Sequence, residues 1–333
     1  MLGEVNVVIL TEGSEKIGLG HLARCVSLCQ AFESRGIYPH FIVKGGKIVW
    51  NFLSGRAFEV IDWTTNDNNL RQLLDDHDVA IIDSYSASLS TYQYISELVR
   101  VPVYIDDYKR LDYPRGLLIN VAINAENLDY PKKEGLCYLL GGRYILLRKE
   151  FWDVPHRSER NLVENIILTF GGTDVGNMTA RTLWLLKKNW SNCVKNVIIG
   201  PFFHDVDAVR QAADSKTHLF FSPPATQIRD LMFGSDIAVS AAGQTLYELA
   251  RIGVPAVTVM VADNQANNVK AWVEKGCILD AGWANDSNVL KNIDNSLCLL
   301  CSLEERRRLS TNAKMFVDGL GPSRIVDEIM RAL

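Results

Sequence analysis

The residues best placed for chemistry come early. The run Ile17-Gly18-Leu19-Gly20-His21-Leu22-Ala23-Arg24 follows the first strongly apolar stretch, Val5 to Leu10. A strand that leaves through a glycine-relaxed loop and opens into a helix offers backbone N–H groups and partial positive charge to a ligand. Gly18 and Gly20 allow a tight turn and a close approach, and His21 puts an imidazole at the mouth of such a pocket. That combination points to acid/base chemistry on a bound small molecule rather than to simple anchoring. The spacing is not the dinucleotide fingerprint, which needs three glycines and no histidine.

Carboxylates that could orient the imidazole stand at two further strand ends, Asp83-Ser84-Tyr85 and Asp106-Asp107. His21, Asp83 and Tyr85 are the catalytic candidates, although a strand-end aspartate often serves only as a cap. His40, His77, His156, His204 and His218 sit in undistinguished contexts and receive no role.

The second half carries loops of another kind. Gly171-Gly172-Thr173-Asp174 follows the apolar run Ile166–Phe170 and could offer amides and a hydroxyl to a phosphate; a turn that merely needs glycine is the alternative. Ser240-Ala241-Ala242-Gly243-Gln244-Thr245 opens another helix with small residues, leaving room for an anion. Glu248, about one turn further, presents two acceptor oxygens suited to a ribose diol, or else steadies the helix dipole. In Asp263-Asn264-Gln265-Ala266-Asn267-Asn268 the amides of Asn264 and Gln265 could read sugar hydroxyls or a phosphate oxygen, and helix capping is compatible with that. Two phosphate-sized loops and a diol acceptor together favour a nucleoside diphosphate.

The elements that must position these residues alternate along the chain. Val5–Leu10, His40–Val43, Glu59–Ile61, Val79–Asp83, Val101–Asp106 and Leu117–Val121 read as strands, with helices at His21–Arg35, Asn68–Asp76 and Leu89–Val99. The strands are continuous apolar runs, as in a parallel sheet covered on both faces. From Leu128 to about Arg160 the pattern loosens and ends in the charged run Arg157-Ser158-Glu159-Arg160, which reads as a crossing between domains. The same rhythm then resumes, with strands at Asn165–Phe170, Asn196–Ile199, His218–Phe221, Ile237–Ser240, Ala256–Val261 and Cys277–Asp280. The fold class is α/β: two Rossmann-like doubly wound domains, residues 1–155 and 156–333, expected to face a cleft. It stays open whether the closing helix Ser323–Leu333 crosses back to the first domain.

Composition sets the outer limits. A chain of 333 residues suits two domains, and 47% hydrophobic with 22% charged residues is ordinary for a globular protein. A net charge of −4 gives no reason to invoke nucleic acid or an anionic membrane surface, and no apolar stretch approaches a membrane span. The start Met-Leu-Gly-Glu-Val lacks the zones of a signal peptide, and seven dispersed cysteines fit reduced thiols, so the expected compartment is the cytoplasm. Cys298 and Cys301 form one Cys-x-x-Cys, read as buried helical thiols rather than a metal site; no metal or cofactor is expected. Lys187-Lys188 and Arg306-Arg307-Arg308 read as solvated helix faces. Nothing in the sequence fixes an oligomeric state.

Taken together, the Gly-x-Gly-His-x-x-Arg run, Ile82-Asp83-Ser84-Tyr85, Leu147-Arg148-Lys149-Glu150-Phe151, Gly171-Gly172-Thr173-Asp174 and Asn264-Gln265 resemble the UDP-sugar hydrolases of pseudaminic acid biosynthesis and related spore-coat polysaccharide proteins. The resemblance runs through most of the chain and departs at Ser84-Tyr85-Ser86, where those hydrolases tend to carry His-Tyr-Gly. It implies a glycosyltransferase B-type fold and metal-independent hydrolysis of the anomeric C–O bond, releasing UDP and a free, acetamido-deoxy hexose. His21 would match the catalytic histidine, Tyr85 and Asn264 groups near the sugar, and the second-domain loops with Glu248 the UDP site; Gly18, Gly20 and Arg24 are counted with the substrate-binding residues. The alternatives are a glycosyltransferase of the same fold, a nucleotide-sugar 2-epimerase, and a non-catalytic nucleotide-sugar-binding protein.

Overall fold

A computed structural model describes residues 5–15, 17–64 and 67–333. The chain divides into two units, Met1–Lys149 with Gly319–Leu333, and Glu150–Asp318.

The first unit begins with β1 (Val7–Gly13), α1 (Gly20–Glu33), β2 (His40–Gly45), α2 (Ile48–Phe52), β3 (Phe58–Val60) and α3 (Asp67–Leu74). It continues through β4 (Val79–Asp83), α4 (Leu89–Leu98), β5 (Val101–Ile105), β6 (Gly116–Asn120) and β7 (Leu136–Leu140). The strands form one parallel sheet in the order β3-β2-β1-β4-β5-β6-β7. Every residue of β1, β4 and β5 is buried, as expected of strands covered on both faces. On one face Val8, Leu10, Ile82, Tyr92, Ile95 and Tyr104 pack into a common core. β1 extends three residues beyond the apolar run, so that Thr11 and Glu12 are buried as well.

β7 lies within the stretch 128–160 that the sequence marks as a domain crossing. Its run Leu-Cys-Tyr-Leu-Leu is apolar throughout, but it is short and lies between Pro131, Gly135, Gly141 and Gly142, whose breaker signals read as a linker.

The second unit contains β8 (Asn165–Thr169), α5 (Met178–Asn189), β9 (Val194–Ile199), α6 (Val206–Ala212), β10 (Thr217–Phe221), α7 (Ala225–Gly234) and β11 (Ile237–Ala241). Then come α8 (Gln244–Ile252), β12 (Ala256–Met260), α9 (Ala266–Glu274), β13 (Leu279–Trp283), α10 (Val289–Leu299) and α11 (Leu303–Lys314). The sheet order is β10-β9-β8-β11-β12-β13, again parallel throughout. Its core gathers Ile166, Leu168, Val197, Val239, Val257 and Ile293.

The final helix, α12 (Gly321–Ala332), belongs to the first unit. Arg35, just beyond α1, donates to Ser323 O at 3.0 Å and pairs with Asp327 at 2.8 Å. A Cβ on Gly321 would lie 2.2 Å from Ile145 O, so only glycine permits the backbone approach that seats this helix.

Burial is decided by tertiary contacts at three places, and at Arg306 and at Cys298 and Cys301 it corrects the expectation. Arg157 is buried and donates to Ser235 O at 2.5 Å and Gly253 O at 3.2 Å, so the charged run is partly internal. Arg306, expected on a solvated face, is 1% exposed. Its guanidinium donates to Leu300 O at 2.6 Å and Cys301 O at 3.0 Å, just past the end of α10, and to Arg160 O at 2.7 Å and Asn161 O at 3.0 Å in the irregular segment before β8. Cys298 and Cys301 are exposed, because α10 turns Val289, Ile293, Ser296 and Leu297 inward instead.

Candidate active site

In both sheets the chain order reverses next to the first strand: β1 has β2 on one side and β4 on the other, and β8 has β9 and β11. Ligands of doubly wound sheets bind beyond the carboxyl ends of the strands at that reversal. In the first unit the β1 exit leads to His21 and the β4 exit begins at Asp83, so topology alone brings residues 62 positions apart to one place.

His21 lies in the first turn of α1, which is seated by Leu22. A Cβ on Gly13 would fall 2.2 Å from Leu22 Cδ1, so the bare backbone at the end of β1 lets the helix press against the sheet. His21 Nδ1 is 2.6 Å from Asp83 Oδ1. Arg24, one turn on, donates through Nε to Asp83 Oδ2 at 2.5 Å and through Nη2 to Asp83 Oδ1 at 2.6 Å. Its Nη1 donates to Asp107 Oδ1 at 2.7 Å. The Tyr85 hydroxyl donates to the other Asp107 oxygen, and the Tyr85 ring stands edge-on to the imidazole, centroids 4.4 Å apart at 85°. These contacts close a ring: His21, Asp83, Arg24, Asp107, Tyr85 and back to His21.

Burial alone would raise the Asp83 carboxyl, but the Arg24 guanidinium and the His21 ring outweigh it and hold the carboxyl far below the usual carboxylate range. Burial likewise opposes the charge on Arg24, and Asp107 and Asp83 overcome it, so its proton is held more tightly than usual. With Asp83 ionised, the short contact requires Nδ1–H to donate, so that in the neutral ring the lone pair lies on Nε2. That tautomer is the one a general base needs.

The surroundings also differ from expectation. His21 is 5% exposed, enclosed by polar partners and the Tyr85 ring rather than standing at an open mouth. Gly18 adopts a left-handed φ of +85°, and its N–H is taken by Ser14 O at 2.7 Å, so this amide is not turned to a ligand. Gly20 is the first residue of α1, with no atom near the position of an added Cβ. Arg24 faces two carboxylates and is buried, so it braces the cluster rather than reaching out for substrate.

Asp106, counted with Asp107 among the carboxylates that could orient the imidazole, is engaged by other groups, and Glu12 was not singled out by the sequence. Asp106, 1% exposed, accepts from the Lys109 and Arg110 amides at 2.8 and 3.1 Å and from the Tyr130 and Tyr113 hydroxyls at 2.5 and 3.2 Å, fixing the turn that carries Asp107. Glu12 lies fully buried beside the segment 84–86. The sole signal for Glu12 was an acidic residue two positions after an apolar run.

The second unit presents mostly backbone at its reversal point. The loop after β8 passes Gly171, with φ of +78° and open space around it, and packs so tightly on the β9 exit that a Cβ on Gly200 would meet Gly171 O at 2.3 Å. Gly172 O accepts from Phe202 N–H at 2.9 Å, and Thr173 is half-buried. Asp174 turns inward and accepts from Thr179 N–H at 3.0 Å; burial raises its carboxyl to about 6, and the Thr179 amide offsets this only in part. Its carboxylate therefore caps the start of α5.

From β11 the chain enters α8 at Gly243, and Ala242 is buried while Gln244 and Thr245 are half-buried. Ser240 points into the sheet, fully buried with Oγ donating to Ala241 O at 2.9 Å, because it still belongs to the strand. Glu248 is buried on α8. Beyond β12, Asn264 is exposed. Gln265 Oε1 accepts from Val261 N–H at 2.8 Å, and its Nε2 lies 3.9 Å from where a Cβ on Gly243 would stand. The loops after β8, β11 and β12 thus share one edge of three adjacent strands, with the α8 N-terminus among them. Among the described residues no group of three or more His, Cys, Asp or Glu could hold a metal ion, and no helix is long and apolar enough to cross a membrane.

Comparison with known proteins places this geometry in context. No family model matches the chain. It is 26% identical over 270 residues to an uncharacterized protein of Methanocaldococcus jannaschii, covering 77% of this chain and 55% of that protein. It is 24% identical over 263 residues to the pseudaminic acid cytidylyltransferase and UDP-2,4-diacetamido-2,4,6-trideoxy-beta-L-altropyranose hydrolase of Helicobacter pylori, covering 78% of this chain and 45% of that protein. The chain thus spans about half the length of these two relatives. The spore coat polysaccharide biosynthesis protein SpsG of Bacillus subtilis is 21% identical over 336 residues and matched over 96% of both chains. Among solved structures, MurG of Acinetobacter baumannii superposes with a TM-score of 0.69 at 13% identity, covering 98% of this chain and 99% of that one. MnaA of S. aureus, solved with UDP, gives 0.68 at 13% identity, covering 98% and 96%. The fold is that of the glycosyltransferase B-type proteins.

Proposed function

We propose that this chain hydrolyses a nucleoside diphosphate sugar, in the simplest case a UDP-activated acetamido-deoxy hexose, at the anomeric C–O bond. The observation that carries the reading is the His21 imidazole, held by ionised Asp83 in the tautomer that leaves Nε2 as an acceptor. In the proposed step Nε2 takes a proton from water as the water oxygen bonds to the anomeric carbon. The bond from that carbon to the diphosphate oxygen breaks, and its electron pair leaves with UDP. Asp83 then stabilises the imidazolium.

A nucleoside diphosphate is already a good leaving group, so the remaining requirement is to hold it and to balance its growing charge. The α8 N-terminus and the glycine loop after β8 suit that task, with Glu248 on the ribose and Gln265 and Asn264 near phosphate or sugar. The names of the H. pylori and B. subtilis relatives support sugar-nucleotide processing in polysaccharide biosynthesis as the setting.

The test is incubation with UDP-, CMP- and GDP-sugars without any acceptor, followed by NMR. Release of free sugar from one of them supports hydrolysis. Turnover only when an acceptor is added would favour a glycosyltransferase, and tight binding without turnover a non-catalytic binding protein.

A further inference from the structure

Glu12 stands on β1 one residue beyond Thr11, which is in register with Asp83, so the parallel pairing brings its carboxylate to the segment that follows Asp83. It is fully buried and plays no part in the proton transfers described above. It nevertheless accepts from Tyr85 N–H at 2.5 Å, from Ser84 Oγ at 3.1 Å and from Ser86 Oγ. The carbonyls of the same segment are held by a cation: Arg110 donates to Ser84 O at 3.0 Å, Ala87 O at 3.2 Å and Tyr85 O at 3.4 Å. The Tyr92 hydroxyl adds a second donor to Ser84 O at 3.1 Å. An anion thus gathers the N–H and O–H groups of residues 84–86, while a cation gathers the carbonyls of residues 84, 85 and 87.

Burying a carboxylate is costly unless its lone pairs are filled, and here three donors from three consecutive residues fill them. The only side chain this segment sends to the candidate site is Tyr85, which meets His21 edge-on and donates to Asp107. We infer that Glu12, with Arg110 as its counterpart, is a positioning residue: it fixes the backbone of residues 84–87 so that the Tyr85 ring confines the His21 imidazole. Its effect on turnover rests on the hydrolytic reading; its effect on the environment of His21 does not.

The experiment compares the wild type with Glu12→Gln, Ser86→Ala and Tyr85→Ala, and with Glu12→Gln combined with Tyr85→Ala. Two readouts are taken: sugar release, and the NMR signal of the His21 Hε1 proton, which senses the adjacent aromatic ring. Glu12→Gln is expected to lower kcat about tenfold with KM within about twofold, since slight misplacement of a site group is enough for such a loss. In the Tyr85→Ala background the same change should cost less than about twofold, because the side chain it positions is already gone. The His21 signal in Glu12→Gln should move toward its place in Tyr85→Ala. Ser86→Ala, which removes a single hydroxyl donor to Glu12, should shift it in the same direction by less and provides the reading if Glu12→Gln does not fold. An equal loss in both backgrounds, or an unmoved His21 signal, overturns the inference. If no nucleotide sugar is turned over, the hydrolytic reading fails and the NMR signal alone decides the positioning role.

Discussion

The two sheets follow the same strand order around their first strand, yet they furnish the reversal point with opposite materials. In the first unit it is crowded with side chains that carry charge or protons: His21, Arg24, Asp83, Tyr85 and Asp107, linked in a closed ring. In the second it is bare, with Gly171, Gly172, Ala242 and Gly243 beside a helix N-terminus. Topology therefore specifies where a ligand can go but not what is done to it. Charged groups held by their neighbours suit a reaction that moves protons. Backbone amides that need no reorganisation suit a diphosphate that must only be held.

If the contrast is functional, damage to the two sites should separate cleanly. The largest effect is expected from His21→Ala, which should lower kcat at least about a hundredfold, the order for loss of a general base, while calorimetry finds UDP affinity nearly unchanged. Asp83→Asn comes next. It preserves shape but no longer demands the Nδ1–H tautomer, and we expect a loss of about a hundredfold in kcat. It also leaves the buried Arg24 with only Asp107 as a charged partner, so a lower urea midpoint should accompany it. An Asp83→Asn variant with full activity would remove the imidazole's orientation from the account.

The mirror-image test falls on the second unit. Glu248→Ala should weaken UDP binding by about tenfold, the size of one lost hydrogen bond to a charged acceptor, with kcat at saturation changed little. Equal affinity would deny it the ribose. Asp174→Asn should have the smallest effect, on stability. The folded-state value of about 6 lies above the ordinary 3.8, so the folded chain binds this proton more tightly than the unfolded one. Stability from this group is fullest below about 4 and declines as pH rises to about 6, where the buried charge is established. Asparagine tolerates the left-handed backbone at this position and still offers an acceptor to Thr179. The variant should therefore gain about 1 kcal/mol at pH 7.5 and lose the slope between pH 4 and 6, as read by urea unfolding.

Much of this contrast was legible in the sequence, because it rests on local signals. Strands β1, β4 and β11 are buried at every residue and β8 at all but Asn165; each contains an apolar run, and glycine or small residues mark their exits. The pairing of His21 with Asp83, 62 residues away, could be read from their strand-end positions, but other groups whose role is decided by distant partners escaped. Arg24 looks like a free cation until Asp83 and Asp107 fold against it, 59 and 83 residues away. Glu12 resembles a strand-end solvating group until residues 84–86 supply its donors. Arg306 sits in a run of three arginines that any pattern assigns to solvent, yet four carbonyls draw it inside. The half-buried edge strand β7 was missed for a simpler reason, since its five apolar residues are enclosed by Pro131, Gly135, Gly141 and Gly142, which mark a linker.

The most direct test of the central claim is to run the reaction in heavy-oxygen water and locate the label by mass spectrometry. Attack by an imidazole-activated water on the anomeric carbon puts the label on C1 of the released sugar and leaves UDP unlabelled, and His21→Ala should abolish that incorporation. Label appearing in the phosphate of UDP, or label entering the sugar at an undiminished rate in His21→Ala, would contradict it.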